Sequence, residues 1–274
     1  MNHFYVSNLR NQVRKNATPN VAIFIDYDNI YHGLRDFGEN VADGNSDLIN
    51  LLWNIYPRDT VRTIKAYADF EQLKVDLRKL HTKRVQIKQV YGNGLGEHHR
   101  KNASDIELSI DAIESVYKEE IDTYVFVTAD SDMIPIMSRM IFKGKKVHLY
   151  YIGTNTSQYQ DITSYAHLHA DLIDIFEIKG QNEIEYWIDK SIKYIQDWYT
   201  EPKNKSKLLG GKWLNDGLQN TYFISRNLSS SIIEKLERDL TIKKITERSA
   251  EGYVIAADEA NIRSRFRTPV GSAR

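Results

Sequence analysis

Two short, nearly unbroken apolar runs, "VAIFI" at 21–25 and "YVFV" at 124–127, do most to limit what this chain can fold into. A strand with one wet face alternates apolar and polar residues; these runs leave no polar face. They predict strands buried on both sides, as in a parallel sheet covered by helices. Further β-rich runs occur at "VRTIKAYA" (61–68), "VQIKQV" (85–90), "KVHLYYI" (146–152) and "LIDIFEI" (172–178). Most are separated by segments with apolar residues three and four apart, including "DFEQLKVDLRKLHTK" and "DMIPIMSRMIFKGKK". Strand, helix, strand repeated predicts an α/β domain with a doubly wound, mainly parallel sheet.

The alternation stops near Ile178, so residues 1–178 are expected to form this domain and "KGQNE" (179–183) a linker. Residues 184–260 read as a second, smaller α+β domain. It contains an amphipathic helix "IEYWIDKSIKYIQDWY" (184–199), a break at Pro202 and a helix "SSSIIEKLERDL" (229–240). Two β-like runs around a turn at Gly252 follow, an order that resembles a winged-helix module suited to nucleic acid or a protein partner. Residues 261–274 carry four arginines and no acid, and are expected to be a basic, poorly ordered tail. The 274 residues, 41% of them hydrophobic, suffice for cores in both parts.

Lys+Arg and Asp+Glu both number 37, so net charge does not point to nucleic acid, although a local basic face is compatible with balance. Cysteine is absent, which excludes disulfides, thiolate zinc sites and cysteine nucleophiles. No stretch of signal-peptide length opens the chain and no run of about 18 apolar residues occurs, so a soluble, cytoplasmic protein without a membrane span is expected.

The informative residues are acids. "VAIFIDYDN" ends its strand on Asp26, followed by Asp28 and Asn29, and "VFVTADSD" ends another on Asp130 and Asp132. Ligands of open α/β sheets bind beyond the carboxyl ends of strands, so neighbouring strands would bring Asp26 and Asp130 together. A third contribution is Asp105, in the first turn of a helix read from "RKNASDIELSIDAIESVY", with Asn102 or Ser104 as its cap. The apolar residues of this segment, Ile106 to Val116, predict a helix packed deeply around most of its circumference. Asp111, about 120° round that helix from Asp105, is a weaker candidate. Carboxylates crowded together repel one another unless a cation compensates, and an oxygen-only set suits Mg²⁺ or Mn²⁺. Asp69 is expected to cap a helix, and Tyr27 and Tyr31 to pack rather than to stack on bases. The loop "YGNGLGEHHRKN" (91–102) precedes the Asp105 helix. In it Arg100 and Lys101 are candidates for gripping a nucleic-acid backbone, and His98 and His99 are read as solvated.

"FIDYDNIY", "RKNASDIELSIDAI" and "VFVTADSDMIPIMSRMIFKGKKVHLYYIG" resemble, in order and spacing, the NYN domain of the PIN-like nuclease superfamily, with the LabA-like branch nearest. The resemblance covers roughly residues 20–178. It implies an α/β/α sandwich and a metal-dependent ribonuclease site, with Asp26, Asn29, Asp105, Asp130 and Asp132 as catalytic positions. Asp26, Asp105, Asp130 and Asp132 would hold the metal, Lys101 would pair with Asp105, and Asp111 would be the following acid. Ala129 departs from the glycine common in the family's "GDGD"-like turn. The expected function is endonucleolytic hydrolysis of RNA, with DNA as the other substrate. Two other readings stand beside it. One is a nucleic-acid-binding regulator without catalysis. The other is a haloacid-dehalogenase-like phosphatase using Asp26, whose second acid would fall on Ile134. A homodimer, or a protein partner bound through the C-terminal domain, is also compatible with the sequence.

Overall fold

A computed structural model describes residues 1–16, 20–73, 75–91, 103–118, 120–156, 161–178, 180–181 and 183–266. The chain divides into two compact units, Met1–Leu34 with Asn40–Lys179, and Arg35–Glu39 with Gly180–Arg274.

The first unit begins with α1 (His3–Asn16), β1 (Val21–Asp26), α2 (Tyr27–Arg35), α3 (Leu48–Ile55) and β2 (Val61–Ala68). It continues with α4 (Leu77–Thr82), β3 (Gln86–Gln89), α5 (Ala103–Lys118) and β4 (Thr123–Val127). It ends with α6 (Ile134–Phe142), β5 (Lys146–Tyr151), β6 (Leu168–Asp171) and α7 (Leu172–Phe176). The six strands form one sheet in the order β3-β2-β1-β4-β5-β6, every neighbouring pair parallel. All six residues of β1 and all five of β4 are buried, as the apolar runs 21–25 and 124–127 within them require. Phe24 stacks with Tyr124 and Phe126 across the pair, at centroid distances of 6.0 and 5.8 Å. Helix-end chemistry follows the sequence. The Asp47 carboxylate caps α3 by accepting the Asn50 N–H at 3.0 Å. Gly144, with φ at +73°, terminates α6 in the left-handed region.

Several segments depart from their expected structure. "LIDIFEI" forms helix α7 rather than a strand. Asp171 caps it by accepting the Ile173 N–H at 2.9 Å, and the local cap overrides an apolar run too short to specify a period. "DFEQLKVDLRKLHTK" gives turns and then only the short α4, so Asp69 caps no helix; its carboxylate accepts from the Gln89 amide at 3.0 Å. Helix α5 is not deeply packed on all sides: Ile106 and Ile110 are 58% and 48% exposed, and only Leu108 and Ala112 of its apolar set are fully buried. Tyr27 and Tyr31 are buried, so neither presents its ring to a ligand.

The second unit contains α8 (Ile184–Thr200), α9 (Gly211–Tyr222), α10 (Arg226–Arg238), the antiparallel hairpin β7 (Ile242–Glu247) and β8 (Ala250–Ile255), and α11 (Glu259–Phe266). Leu209 adds a single antiparallel bridge to Tyr253. The hairpin turns at Arg248 and Ser249, both with positive φ (48° and 69°), and not at Gly252. Gly252 lies inside β8, where a Cβ would meet the Leu209 oxygen at 2.8 Å, so the close approach of the bridging strand excludes a side chain there. The expected tail from residue 261 is instead helical to Phe266, because Ile262 and Phe266 are buried in this unit's core. Its last eight residues lie outside the described ones. Segment Arg35–Glu39 belongs to this core. Arg35 donates to the Ile224 carbonyl at 2.8 Å and accepts from the Ser225 N–H at 3.0 Å.

Candidate active site

The strand order reverses between β1 and β4, and two of the sequence-selected acids flank that point. Asp26 is the last residue of β1, only 3% exposed. Thr128, the first residue beyond β4 and fully buried, donates its hydroxyl to Asp26 Oδ2 at 3.0 Å. The same Thr128 oxygen accepts the Asp130 N–H at 3.0 Å, so one side chain ties together the two strand ends. Asn29 completes the tie. Its backbone N–H donates to Asp26 Oδ1 at 3.3 Å, and its side-chain oxygen accepts the Ala129 N–H at 3.0 Å. Asn29 therefore holds the loop that carries Asp130. Ala129 has no positive φ, so the loop adopts its turn without the glycine common in the family.

Asp130 in turn accepts the Asp132 N–H at 2.9 Å, capping the short turn Ser131–Met133 and leaving Asp132 exposed. Asp105 projects from the first turn of α5 and shares a hydrogen bond with Asp26. Asp28 anchors this arrangement from behind. Its Oδ2 accepts from the Asp69 N–H at 3.1 Å and from the Ser104 hydroxyl at 3.0 Å, which joins α2, the end of β2 and α5.

The electrostatics show an uncompensated acidic cluster. Burial pushes the Asp26 carboxyl up to about 8, with the Asp105 charge adding to the rise and the Thr128 and Asn29 hydrogen bonds opposing it. Burial, then the charges of Asp130, Asp132 and Asp28, push Asp105 up to about 6, against the bond from Asp26. Two touching carboxyls raised in this way hold a proton between them unless a cation replaces it. Among the described residues no lysine or arginine pairs with either. Asp28 is also raised, chiefly by burial.

Asp111 is not part of this cluster. It accepts the Tyr67 hydroxyl at 2.6 Å and lies 3.3 Å from both the Lys65 and Lys88 ammonium groups. Burial alone would raise its carboxyl, but Tyr67 and the lysines hold it below the usual carboxylate range. Arg100 and Lys101, with His98 and His99, lie outside the described residues. Thr128 is the residue that the sequence reading missed; its signal was a lone hydroxyl between a buried strand and an acidic turn.

The family model for the NYN domain matches residues 20–170. The chain is an NYN-domain protein. Its parallel sheet flanked by helices is the α/β architecture of NYN and PIN-like proteins, and the family places it among nuclease- and RNA-related functions. No curated protein matches it at a significant level. A solved Vibrio parahaemolyticus protein of unknown function is similar at 22% identity and a TM-score of 0.45, over 57% of this chain and 94% of that one. No described helix of this NYN protein is long and apolar enough to cross a membrane.

The donor set suits a hard divalent cation: oxygen atoms only, with raised carboxyls whose mutual repulsion such an ion would relieve. Among the described residues, however, no group of three or more acidic, histidine or cysteine side chains is near enough to hold one ion directly. The four acids converge as a charge cluster, with Asp26 and Asp105 in contact, rather than as a closed four-ligand cage.

Proposed function

We propose that this NYN protein is a metal-dependent endoribonuclease of the LabA-like branch, cutting RNA at the carboxyl ends of β1 and β4. The observation that carries the reading is the Asp26–Asp105 contact, in which both carboxyls are raised and no described cation neutralises them. Asp26 and Asp105 would hold Mg²⁺ or Mn²⁺ directly. Asp130 and Asp132 would reach it through ordered water, which accords with Mg²⁺ keeping several waters and binding through one or two carboxylates. When bound, the ion would stabilise negative charge on a phosphodiester and acidify a water molecule. Thr128 and Asn29 orient Asp26 and fix the Asp130 loop. Asp28 fixes the start of α5 and hence Asp105. Arg100 and Lys101, five and four positions before Asp105, would supply phosphate contacts.

A non-catalytic RNA-binding regulator is the second reading, favoured because among the described residues no three side chains lie within direct reach of one ion. A phosphatase nucleophile at Asp26 is disfavoured, since position 134, where its second acid would stand, is isoleucine.

The test is incubation of the protein with single-stranded RNA, duplex RNA and DNA in Mn²⁺ or in EDTA. Endonucleolytic products from RNA in Mn²⁺, lost in EDTA and in Asp26→Asn and Asp130→Asn proteins that melt normally, are expected. RNA bound with no products and no metal dependence would establish the regulator instead.

A further inference from the structure

The second unit contains a cavity of about 500 Å³, whose walls include Trp198, Leu208, Trp213, Phe266, Lys207 and Arg248. Three features of this cavity are unusual for the surface of a small α+β unit. First, Trp213 leaves 75% of its surface to solvent at the start of α9, although a large aromatic ring is costly to expose. Second, the approach is cationic. Lys205, Lys207 and Lys212 are exposed and have no ion-pair partner among the described residues, and Arg248 sits at the hairpin turn, donating to the Phe266 carbonyl at 2.7 Å. Third, Glu247, the acid in the wall, is already neutralised by Arg263, whose Nη1 lies 2.5 Å from its carboxylate.

Aromatic rings with an acidic rim would suit a cationic ligand such as a methylated ammonium. Here the acid is already neutralised and offers no attraction, and the surrounding lysines repel such a group. A flat uncharged ring attached to an anion fits the same walls: indole faces for the ring, ammonium and guanidinium groups for the anion. The buried Asn204, whose Nδ2 donates to the Trp198 carbonyl at 3.0 Å, fixes the segment that carries Lys205 and Lys207 against α8.

We propose that this cavity binds a base and its adjoining phosphate from single-stranded RNA, with Trp213 as the stacking face and Lys207 and Arg248 at the phosphate. The inference deepens the ribonuclease reading, on which it rests, by giving the second unit its own grip on the substrate strand.

The test uses full-length Asp26→Asn protein in EDTA, so that binding is read without cleavage, and follows tryptophan fluorescence during titration with ten-nucleotide oligo(U) and oligo(A) RNA. Trp213→Ala and Lys207→Glu are the variants; both residues are exposed, and thermal melts check that the fold is kept. Quenching by RNA, with affinity at least tenfold weaker in each variant, is expected. Unchanged affinity in both variants overturns the inference, because the RNA then binds elsewhere. Absence of binding by the parent also overturns it. Mn²⁺-dependent cleavage by the unsubstituted protein would in that case leave the ribonuclease reading standing. Quenching by an acidic peptide and not by RNA would reassign the cavity to a protein partner.

Discussion

The Thr128 hydroxyl donates a hydrogen bond to Asp26 across a sequence separation of 102 residues, while its oxygen accepts the Asp130 N–H. One small side chain thus sets the distance between the acids at two neighbouring strand ends. Thr128→Val keeps the shape but leaves a buried carboxyl oxygen and the Asp130 amide without that partner. The expected cost is about 1–3 kcal/mol of stability, measured by urea denaturation, together with a fall in Mn²⁺-dependent cleavage.

Asp26→Asn should abolish cleavage and, without divalent ions, raise the melting temperature by a few degrees. The folded-state carboxyl lies near 8 against about 3.8 unfolded, so its ionisation weakens the fold progressively as pH rises between those values. The stabilisation by asparagine should therefore be small at pH 4 and largest at pH 8. Melts across that range, in EDTA and then in Mn²⁺, check it, and the ion should shrink the difference.

Buried His148 shares a hydrogen bond with the Tyr56 hydroxyl at 2.9 Å, and burial holds its imidazole down at about 4. A folded-state value below the unfolded 6.5 means that stability is present above pH 6.5 and is lost as pH falls toward 4. The loss is about 3 kcal/mol at about 1.4 kcal/mol per unit. Denaturation between pH 7 and 4 should show this slope, and His148→Asn should flatten it.

Asp111→Asn separates a structural acid from a chemical one. It leaves Lys65 and Lys88 beside each other without their carboxylate. A loss of about 2 kcal/mol in stability is expected for a partly buried pair. Apparent Mn²⁺ affinity in the cleavage assay should be unchanged, whereas Asp105→Asn should eliminate it.

What the sequence made legible follows from how locally each feature is encoded. Residues 21–25 and 124–127 declare themselves as central strands because burial on both faces leaves them almost wholly apolar. Their parallel pairing then places Asp26 beside the acidic turn. Residues 172–178 carry five apolar residues around Asp174 and Glu177, and the cap at Asp171 makes Leu172–Phe176 helical. Helix α1 went unread although its buried positions, Val6, Leu9 and Val13, keep helical spacing, because they are only three in a largely polar segment. The contrast between Asp105 and Asp111 was only half visible. Their angular separation on α5 can be counted, but the two lysines that neutralise Asp111 come from β2 and β3. Thr128 shows the same limit, since its role depends on a partner two strands' worth of chain away.

The five residues Arg35–Glu39 are translated early yet complete a module that begins, in sequence, only at Gly180. A recombinant fragment starting there would lack the glycine at position 38, whose bare Cα leaves room for the Trp187 ring, and the guanidinium that holds the Ile224 carbonyl. During synthesis that short piece must wait for more than a hundred residues before it meets its core, so this module cannot close until the chain beyond Gly180 has been made.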